Sequence, residues 1–341
     1  MLQIQLHFSI ADCIMFLIKA WRASAFAVYG YLNFTQSAFL QHSKKFKEED
    51  MQSRLDGQNC IVTGANSGIG FATAEGLAAR GASVYMVCRS KERGETALSQ
   101  IQSKTGNQNV YLEVCDLSSV SEIKSFADKF TSKELPVHLL VNNAGILEHK
   151  RIMTLEGFEL NFAVNVLGTY TLTELMLPLL EKAAPDARVI TVSSGGMYTS
   201  PLTIDLQFSE GEFNGMTQYG RNKRVQVALT EKWAEKYKDK GIGFYSMHPG
   251  WAGTPGVAKS YPGTFEQAKK ELTRLYGWLY NQKTNWCLVD FTLIELKRLN
   301  TCLSQLPKDL MFSSIPFMTL FVRCLEFLHN TRRWKLLKIE W

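Results

Sequence analysis

An alternation of short apolar runs with longer segments of helical period constrains the fold of this chain most strongly. From Asn59 to about Gly263, runs rich in β-branched residues recur, and the gaps between them carry apolar residues at helical spacing. Parallel strands need such crossover segments between them. The pattern therefore predicts an α/β fold with a doubly wound parallel sheet and helices on both faces. The predicted strands are residues 60–64, 83–88, 110–116, 137–143, 188–194 and 242–248.

An apolar N-terminal extension, residues 1–58, precedes this region and contains the apolar stretch 10–34. No Lys or Arg comes before residue 10, which disfavours a cleaved signal peptide. A membrane-spanning helix would bury Asp12, Lys19 and Arg22, at about 2.5 to 3.5 kcal/mol for each charge near the bilayer centre. A helix in the membrane interface avoids that cost, and a helix that packs on the protein or is poorly ordered needs no membrane. The sequence leaves these three alternatives open and predicts a polar linker over residues 42–58.

Residues 264–341 form an atypical tail. Apolar residues recur there at helical spacing, and a second apolar run is interrupted by Pro316 and Arg323. No segment of the tail has a convincing strand pattern. The predicted organisation is an extension over residues 1–58, an α/β domain over residues 59–263 and a helical tail over residues 264–341.

The formal charge of +6 lies outside the α/β region. Residues 266–341 hold twelve Lys or Arg against seven Asp or Glu, and residues 1–57 hold six against five, so the middle of the chain is neutral. This distribution gives little support to nucleic-acid binding. Seven widely spaced cysteines without a C-x-x-C pair predict neither a disulfide framework nor a metal site, and they favour a reducing, cytoplasmic compartment.

The first predicted strand runs directly into a glycine-rich turn, Thr63 to Gly70, and an alanine-rich helical pattern follows. A backbone that bends sharply and approaches a pyrophosphate needs residues without a Cβ. A helix that begins there adds free N–H groups and the positive end of its dipole. This arrangement is typical of a Rossmann-type dinucleotide site, although a merely tight turn could use the same glycines. The residues predicted to bind the cofactor here are Gly64, Asn66, Ser67, Gly68, Ile69 and Gly70.

The end of the second strand indicates which dinucleotide is bound. NAD sites place a carboxylate there for the ribose hydroxyls, whereas NADP sites pair a phosphate with a cation. Here Cys88 stands where the acid would be and Arg89 follows, which favours NADP(H) without excluding NAD(H); a solvated loop arginine is the alternative. After the third strand, Asp116 and Leu117 are also predicted at the cofactor, and the Asp116 carboxylate either accepts from the adenine amino group or caps the next helix.

Tyr219 and Lys223 lie four residues apart in a segment of helical period and therefore share one face. A tyrosine has a pKa near 10, and a neighbouring ammonium lowers it by stabilising the phenolate. Tyr219 can then donate a proton to a carbonyl oxygen or accept one from an alcohol. The pair alone is a weak signal, but it follows a predicted strand that ends in Ser193 and Ser194.

These motifs together resemble the short-chain dehydrogenase/reductase family. In order along the chain they are the glycine turn, Asn142-Asn143-Ala144-Gly145, Asn165 in NVLG, Ser193-Ser194, Tyr219-x-x-x-Lys223 and Pro249-Gly250. The resemblance implies a Rossmann-type fold and a catalytic tetrad of Asn165, Ser194, Tyr219 and Lys223. Ser194 is preferred to Ser193 because its spacing to Tyr219 resembles that of retinol-dehydrogenase-type members. Three further segments, GNQNVYLEVCDLS, VITVSSGGMY and SMHPGWAGTPGV, resemble members without a settled substrate.

The resemblance also implies a role for each site residue. Ser194 would hold the substrate oxygen, Lys223 would bind the nicotinamide ribose and acidify Tyr219, and Asn165 would anchor a water in a proton relay. The alternative is that Asn165 and Ser194 have no catalytic role and only make local hydrogen bonds, in a helix and at a strand end. Further cofactor contacts are implied for Asn143, Ala144 and Gly145 at the adenosine ribose, Pro249 and Gly250 at the nicotinamide, and Thr254 at its amide or the pyrophosphate.

The tail departs from the family, whose members continue with further helices and a last strand that residues 264–341 do not show. Either the C-terminus is aberrant, or a helical cap replaces the usual elements. We expect an NADP(H)-dependent oxidoreductase acting on a small carbonyl or alcohol, with a lipophilic substrate, a homodimer or homotetramer, and peripheral membrane contact through residues 10–34. The alternative is a dinucleotide-binding scaffold or sensor without turnover.

Overall fold

Six strands pair in parallel in the computed structural model, which describes residues 21, 25–46 and 53–260. They are β1 (Asn59–Thr63), β2 (Ser83–Cys88), β3 (Val110–Val114), β4 (Leu139–Asn142), β5 (Ala187–Val192) and β6 (Ile242–Met247). Their order across the sheet is β3-β2-β1-β4-β5-β6. The chain reverses its direction of travel between β1 and β4, and this switch point is where open α/β sheets bind ligands. The prediction of a Rossmann-type parallel sheet is confirmed.

The helices of the described residues are α1 (residues 25–34), α2 (Gln36–Ser43), α3 (Gly68–Ala79), α4 (Lys91–Thr105), α5 (Val120–Thr131), α6 (Leu160–Phe162), α7 (Thr169–Lys182), α8 (Gly215–Lys236) and α9 (Pro255–Ser260). Helices α3 to α8 lie in connections between strands, whereas α1 and α2 precede β1 and α9 follows β6. A π-helical turn, Ala163–Gly168, joins α6 to α7, and 3₁₀ turns cover Gly195–Thr199 and Lys238–Lys240.

Both faces of the central strands are buried, because their side chains alternate between two apolar clusters. On β1, Ile61 packs with the aromatic side chains Phe126 and Phe130 of α5, whereas Cys60 and Val62 pack with the small residues of α3. The predicted alanine-rich helix is therefore α3, whose short side chains let it approach the sheet closely. This close approach brings the N-terminus of α3 to the end of β1.

Five strands end earlier than the sequence predicted, and the fourth strand also begins two residues later than predicted. Residues 64, 115–116, 143, 193–194 and 248 follow their strands instead of belonging to them. At two of these positions the backbone N–H bonds to a side chain instead of a neighbouring strand. The Asp116 N–H donates to the Glu122 carboxylate, and the Asn143 N–H donates to Thr63 Oγ1. The shortened ends release candidate site residues from the sheet ladder.

The N-terminal extension contributes helices to the described structure. α1 packs on the α/β domain, and α2 begins after Thr35, whose hydroxyl accepts from the Ala38 N–H. The predicted linker over residues 42–58 thus begins inside the last turn of α2, because that turn continues the helical hydrogen bonds. Residues 10–20 and 22–24 of the apolar stretch, and the tail 264–341, lie outside the described residues.

One helical stretch in the described part of the chain, Leu160–Lys182, is long and apolar enough to cross a membrane. It includes α6 and α7, and 67% of its most apolar window is buried inside the protein. Packing between the sheet and neighbouring helices therefore accounts for its composition.

Candidate active site

The glycine turn forms a narrow backbone cradle at the end of β1. Gly64 and Gly68 adopt positive φ angles of 65° and 56°, a region that side chains other than glycine disfavour. A Cβ on Gly70 would collide with the Gly64 carbonyl oxygen. α3 begins at Gly68, and its N-cap residue Ser67 makes no side-chain hydrogen bond to the helix. The first-turn N–H groups thus remain available to an anion, and the cradle fits a dinucleotide pyrophosphate.

The end of β2 carries a buried thiol followed by an exposed cation. Cys88 is 2% exposed, and burial raises the pKa of its thiol to about 11, although backbone N–H groups of Ala65 and Asn66 act in the opposite direction. The Arg89 side chain is 59% exposed, and its Nε lies 3.9 Å from Asp116 Oδ2. At that distance and exposure the pair is weak. Arg89 is therefore free to turn towards a phosphate at this edge of the sheet.

Asp116 and Leu117 lie beside Arg89, since β3 is the neighbour of β2. Asp116 Oδ1 accepts from the N–H and the hydroxyl of Ser118, at 2.9 and 2.8 Å. The N-cap of α5 is Ser119, so Asp116 does not cap that helix. The Leu117 side chain is buried in the core, which leaves its backbone as the part that can reach a cofactor.

Thr63 and Asn143 join the ends of β1 and β4 at the switch point. The Thr63 hydroxyl accepts from the N–H groups of Asn143 and Ala144, at 3.0 and 2.9 Å, and Asn143 Nδ2 donates to the Thr63 carbonyl at 2.8 Å. Asn142 braces the sheet from below by donating to Thr173 of α7 at 2.9 Å. These bonds hold the predicted residues Asn143 and Ala144 against the glycine turn.

Ser194, Tyr219 and Lys223 come together beyond the end of β5. Ser194 Oγ shares a hydrogen bond with the Tyr219 hydroxyl, and Lys223 Nζ lies 5.6 Å from the centre of the Tyr219 ring. Ser193 points elsewhere, because its hydroxyl donates to the Lys223 carbonyl at 2.8 Å in a buried contact. The geometry places Ser194, rather than Ser193, beside the tyrosine; its catalytic role stays a prediction.

Burial shifts the pKa values of both residues on α8. It lowers the pKa of Lys223 from 10.5 to about 7, and the ammonium nitrogen donates to the Val192 carbonyl at 2.9 Å. Burial raises the pKa of Tyr219 above 10, and the hydrogen bond with Ser194 opposes that shift. At Tyr219 burial outweighs the hydrogen bond with Ser194, and the lowering of the tyrosine pKa by Lys223 stays a prediction.

Asn165 lies in the π-helical turn between α6 and α7, a type of irregularity that is frequent at functional sites. Its side chain bonds twice to the backbone of Ile146, accepting from the N–H and donating to the carbonyl, each at 2.9 Å. Its own carbonyl accepts from Gln226 Nε2 at 2.6 Å. A Cβ on Gly145 would lie 3.3 Å from both Asn165 Oδ1 and Lys223 Nζ. The missing side chain of Gly145 therefore leaves room for both Asn165 and Lys223, two members of the predicted tetrad.

The segment after β6 turns back towards the glycine turn. Gly250, which follows Pro249, has a positive φ of 79°. A Cβ on Gly68 would lie 3.1 Å from Thr254 Cγ2, so Thr254 packs directly against the start of α3. The structure thus brings Thr254 and the predicted pyrophosphate cradle together, as the sequence-based assignment requires.

Two further residues, Glu159 and Gln226, hold residues of the candidate site in place and were not predicted from the sequence. Glu159 is fully buried and accepts from the backbone of Asn161 and Phe162 and from the side chain of Gln218, the neighbour of Tyr219. Gln226 holds the Asn165 carbonyl from α8. Gln226 lies three residues after Lys223, so helical spacing could have revealed it, whereas no local signal marks Glu159.

The sequence of this chain is similar to those of known proteins. The short chain dehydrogenase family model matches residues 58–263. The human dehydrogenase/reductase SDR family member 12 is 45% identical over 247 residues, which is 72% of this chain and 77% of that protein. Mouse retinol dehydrogenase 11 is 39% identical over 58% of this chain and 62% of its own length.

A solved structure agrees with these sequence relatives. It is a proposed NAD(P)-dependent gluconate 5-dehydrogenase of Beutenbergia cavernae, with NADP bound at low occupancy. It shares 25% identity with a TM-score of 0.52, over 63% of this chain and 81% of that one. Fold, motif order and sequence identity agree, and the chain belongs to the short-chain dehydrogenase/reductase family of oxidoreductases.

Proposed function

We propose that this protein is an NADP(H)-dependent oxidoreductase that interconverts an apolar carbonyl compound and its alcohol. The observation that carries the proposal is the convergence of Ser194, Tyr219 and Lys223 beside the switch point of the sheet. A bound nicotinamide would supply or accept the hydride, and the protein would supply binding, orientation and proton transfer.

Tyr219 is the proposed acid. Its raised pKa keeps the phenol protonated at neutral pH, which is the state that donates a proton to a carbonyl oxygen. Ser194, hydrogen-bonded to the same hydroxyl, would hold that oxygen in place. For alcohol oxidation the phenolate is needed, and the charged form of Lys223 would favour it.

The proposed cofactor half uses the backbone more than side chains. The turn from Gly64 to Gly70 and the N-terminus of α3 would hold the pyrophosphate, while Lys223 and Asn143 would contact the two riboses. Arg89 supports the preference for NADP(H), because Cys88 leaves no carboxylate at the ribose and the cation is only weakly paired.

Hydride transfer is tested by following NADPH oxidation with a panel of aldehydes and ketones. We expect Tyr219→Phe to bind NADPH normally and to lose about 10² to 10⁴-fold in rate, the usual range for a positioned acid. Tyr170→Phe is the matched control, because Tyr170 is 43% exposed and stacks on Trp233 away from the predicted tetrad. Equal rates in wild type and Tyr219→Phe would refute the assignment.

Cofactor preference is tested by fluorescence titration with NADPH and then NADH. Arg89→Ala should weaken NADPH binding about tenfold and leave NADH binding within about twofold, since only NADPH carries the extra phosphate. Arg54→Ala is the control, because Arg54 precedes β1 at the opposite end of the sheet and pairs with Asp56. Binding of both dinucleotides without turnover on any carbonyl would instead favour the scaffold or sensor alternative.

A further inference from the structure

α1 packs against the segment that follows β6. The Trp251 N–H donates to the Phe34 carbonyl at 2.7 Å, beyond the last turn of the helix. Gly30 lies against the Trp251 indole, so close that a Cβ on Gly30 would come within 2.6 Å of Trp251 Cζ2. The Phe34 ring meets the His248 imidazole edge-on, with ring centres 4.2 Å apart. α1 is thereby fixed to residues 248–251, which include the predicted nicotinamide contacts.

The same helix also reaches the segment after the predicted catalytic serine. A Cβ on Gly195 would lie 3.2 Å from Phe34 Cε2, so Phe34 packs one residue beyond Ser194. Phe26, two turns earlier on α1, contacts Tyr198 with ring centres 6.2 Å apart. α1 therefore bridges the two segments, 195–198 and 248–251, that flank the proposed reaction centre.

The two sides of α1 differ in their surroundings. Phe26, Gly30 and Phe34 recur every four residues and share the side that faces the domain. Val28, Tyr29 and Leu32 are 42%, 48% and 54% exposed. Phe26 and Phe34 are themselves only half-buried.

We propose that α1 forms one wall of the substrate site and that Phe34 and Phe26 select carbonyl compounds with a flat apolar body. The proposal rests on the proposed function, since it assigns the substrate class of the same site. Aromatic rings from Phe26, Phe34, Tyr198 and Trp251 provide stacking and edge contacts, and no charged side chain takes part in the ring contacts described here. Such a wall would bind an aromatic aldehyde or ketone better than a short aliphatic one.

The test compares 2-naphthaldehyde with propanal in the full-length enzyme with NADPH. Phe34→Ala should lower kcat/KM for 2-naphthaldehyde about tenfold, through KM, and change that for propanal by less than about twofold. Phe39→Ala is the matched control, because Phe39 lies on α2, is 57% exposed and contacts Phe46. Phe26→Ala repeats the test at the other end of the wall if Phe34→Ala fails to fold. Equal losses for both aldehydes, or losses no larger than in Phe39→Ala, would overturn the proposal.

Calorimetry separates this inference from the proposed function. 2-Naphthaldehyde is titrated into NADPH-loaded Tyr219→Phe protein, with and without Phe34→Ala, so that binding is read without turnover. Weaker binding in the double variant supports the wall even if no aldehyde is reduced by wild type, an outcome that would reject only the oxidoreductase assignment. Unchanged binding, or no binding of 2-naphthaldehyde at all, rejects the wall whatever the activity.

Discussion

Replacement of Lys223 by methionine should make the cofactor-free protein more stable while removing its activity. Burial lowers the pKa of Lys223 from 10.5 to about 7, so near pH 7 the folded state carries the cost of a poorly solvated ammonium. With about 1.36 kcal/mol for each pKa unit, that cost is about 4 kcal/mol at pH 7. Methionine removes it but leaves the Val192 carbonyl without its donor, a loss of about 1 to 2 kcal/mol. The net expected gain in the free energy of unfolding is about 2 to 3 kcal/mol.

The gain should depend on pH with a definite sign. Between pH 7 and 10.5 the unfolded chain binds a proton at Lys223 that the folded chain has lost, so the stability of the wild type rises with pH in this window. Below pH 7 both states are protonated and the cost is constant. The stability advantage of Lys223→Met should therefore be largest at pH 7 and should fall by about 3 kcal/mol towards pH 9.5. Tyr219, whose pKa is raised above 10 in the folded state, stays protonated there over the pH range of the assay, which ends at 9.5.

Urea denaturation of both cofactor-free proteins from pH 6.5 to 9.5 measures this difference directly. Lys240→Met serves as the control, because Lys240 is 53% exposed and pairs only with Glu181 at the surface, so its effect should stay within about 0.5 kcal/mol. A Lys223→Met protein that is less stable than wild type at pH 7, or a difference that does not change with pH, would show that the lysine is well solvated or paired and would refute the reasoning.

Three further predictions concern close packing, a buried carboxylate and the exposed side of α1. Gly145→Ala should lower NADPH-dependent activity more than tenfold, because its methyl would lie 3.3 Å from Lys223 Nζ. Gly76→Ala is the control, because Gly76 has open space around it in α3. It should leave activity unchanged and be neutral or stabilising in thermal denaturation. Glu159→Gln should reduce the free energy of unfolding in urea by about 2 to 4 kcal/mol, because an amide nitrogen would face donors that now bond to a carboxylate oxygen. Leu32→Ser should reduce co-sedimentation with phosphatidylcholine vesicles without changing the KM for 2-naphthaldehyde, since Leu32 is exposed; unchanged sedimentation would argue against membrane contact through α1.

The backbone geometry of the proposed cofactor half could be predicted from the sequence because each requirement there is local. Gly64 and Gly68 need positive φ angles within one turn, and Arg89 directly follows the strand that places it. Short connections and right-handed crossovers restrict the sheet to few topologies, and the order β3-β2-β1-β4-β5-β6 comes from the structure. The ends of the strands were predicted less well, because Asp116 and Asn143 have strand-like neighbours and leave the sheet through side-chain hydrogen bonds that composition does not reveal.

The supporting residues could not be predicted, because their roles depend on contacts between distant parts of the chain. No local signal marks Glu159 in the sequence, and only the fold buries it against Gln218, which lies 59 residues later. The pKa shift of Lys223 has the same origin, because four-residue spacing predicts that it neighbours Tyr219, whereas only packing shows that burial shifts the pKa values of both side chains. Periodicity predicts which face of a helix is buried, and it carries no information about what lies against that face.

The contacts at the proposed substrate site also join distant parts of the chain and could not be predicted from the sequence. They determine how the N-terminal extension should be tested. Its sequence suggests an anchor or a packed helix as alternatives, yet the two sides of α1 allow both, since Phe34 packs beside His248 while Leu32 remains exposed. A chain that begins at Met51 would lose both sides at once, so a fall in membrane association and a fall in activity would arrive together and could not be assigned. Single substitutions separate them: Leu32→Ser changes only the exposed side, and Phe34→Ala only the side that meets the domain. If the two substitutions affect vesicle binding and KM independently, α1 has two separable roles; if each affects both measurements, then substrate reaches the wall through the same surface that meets the lipid.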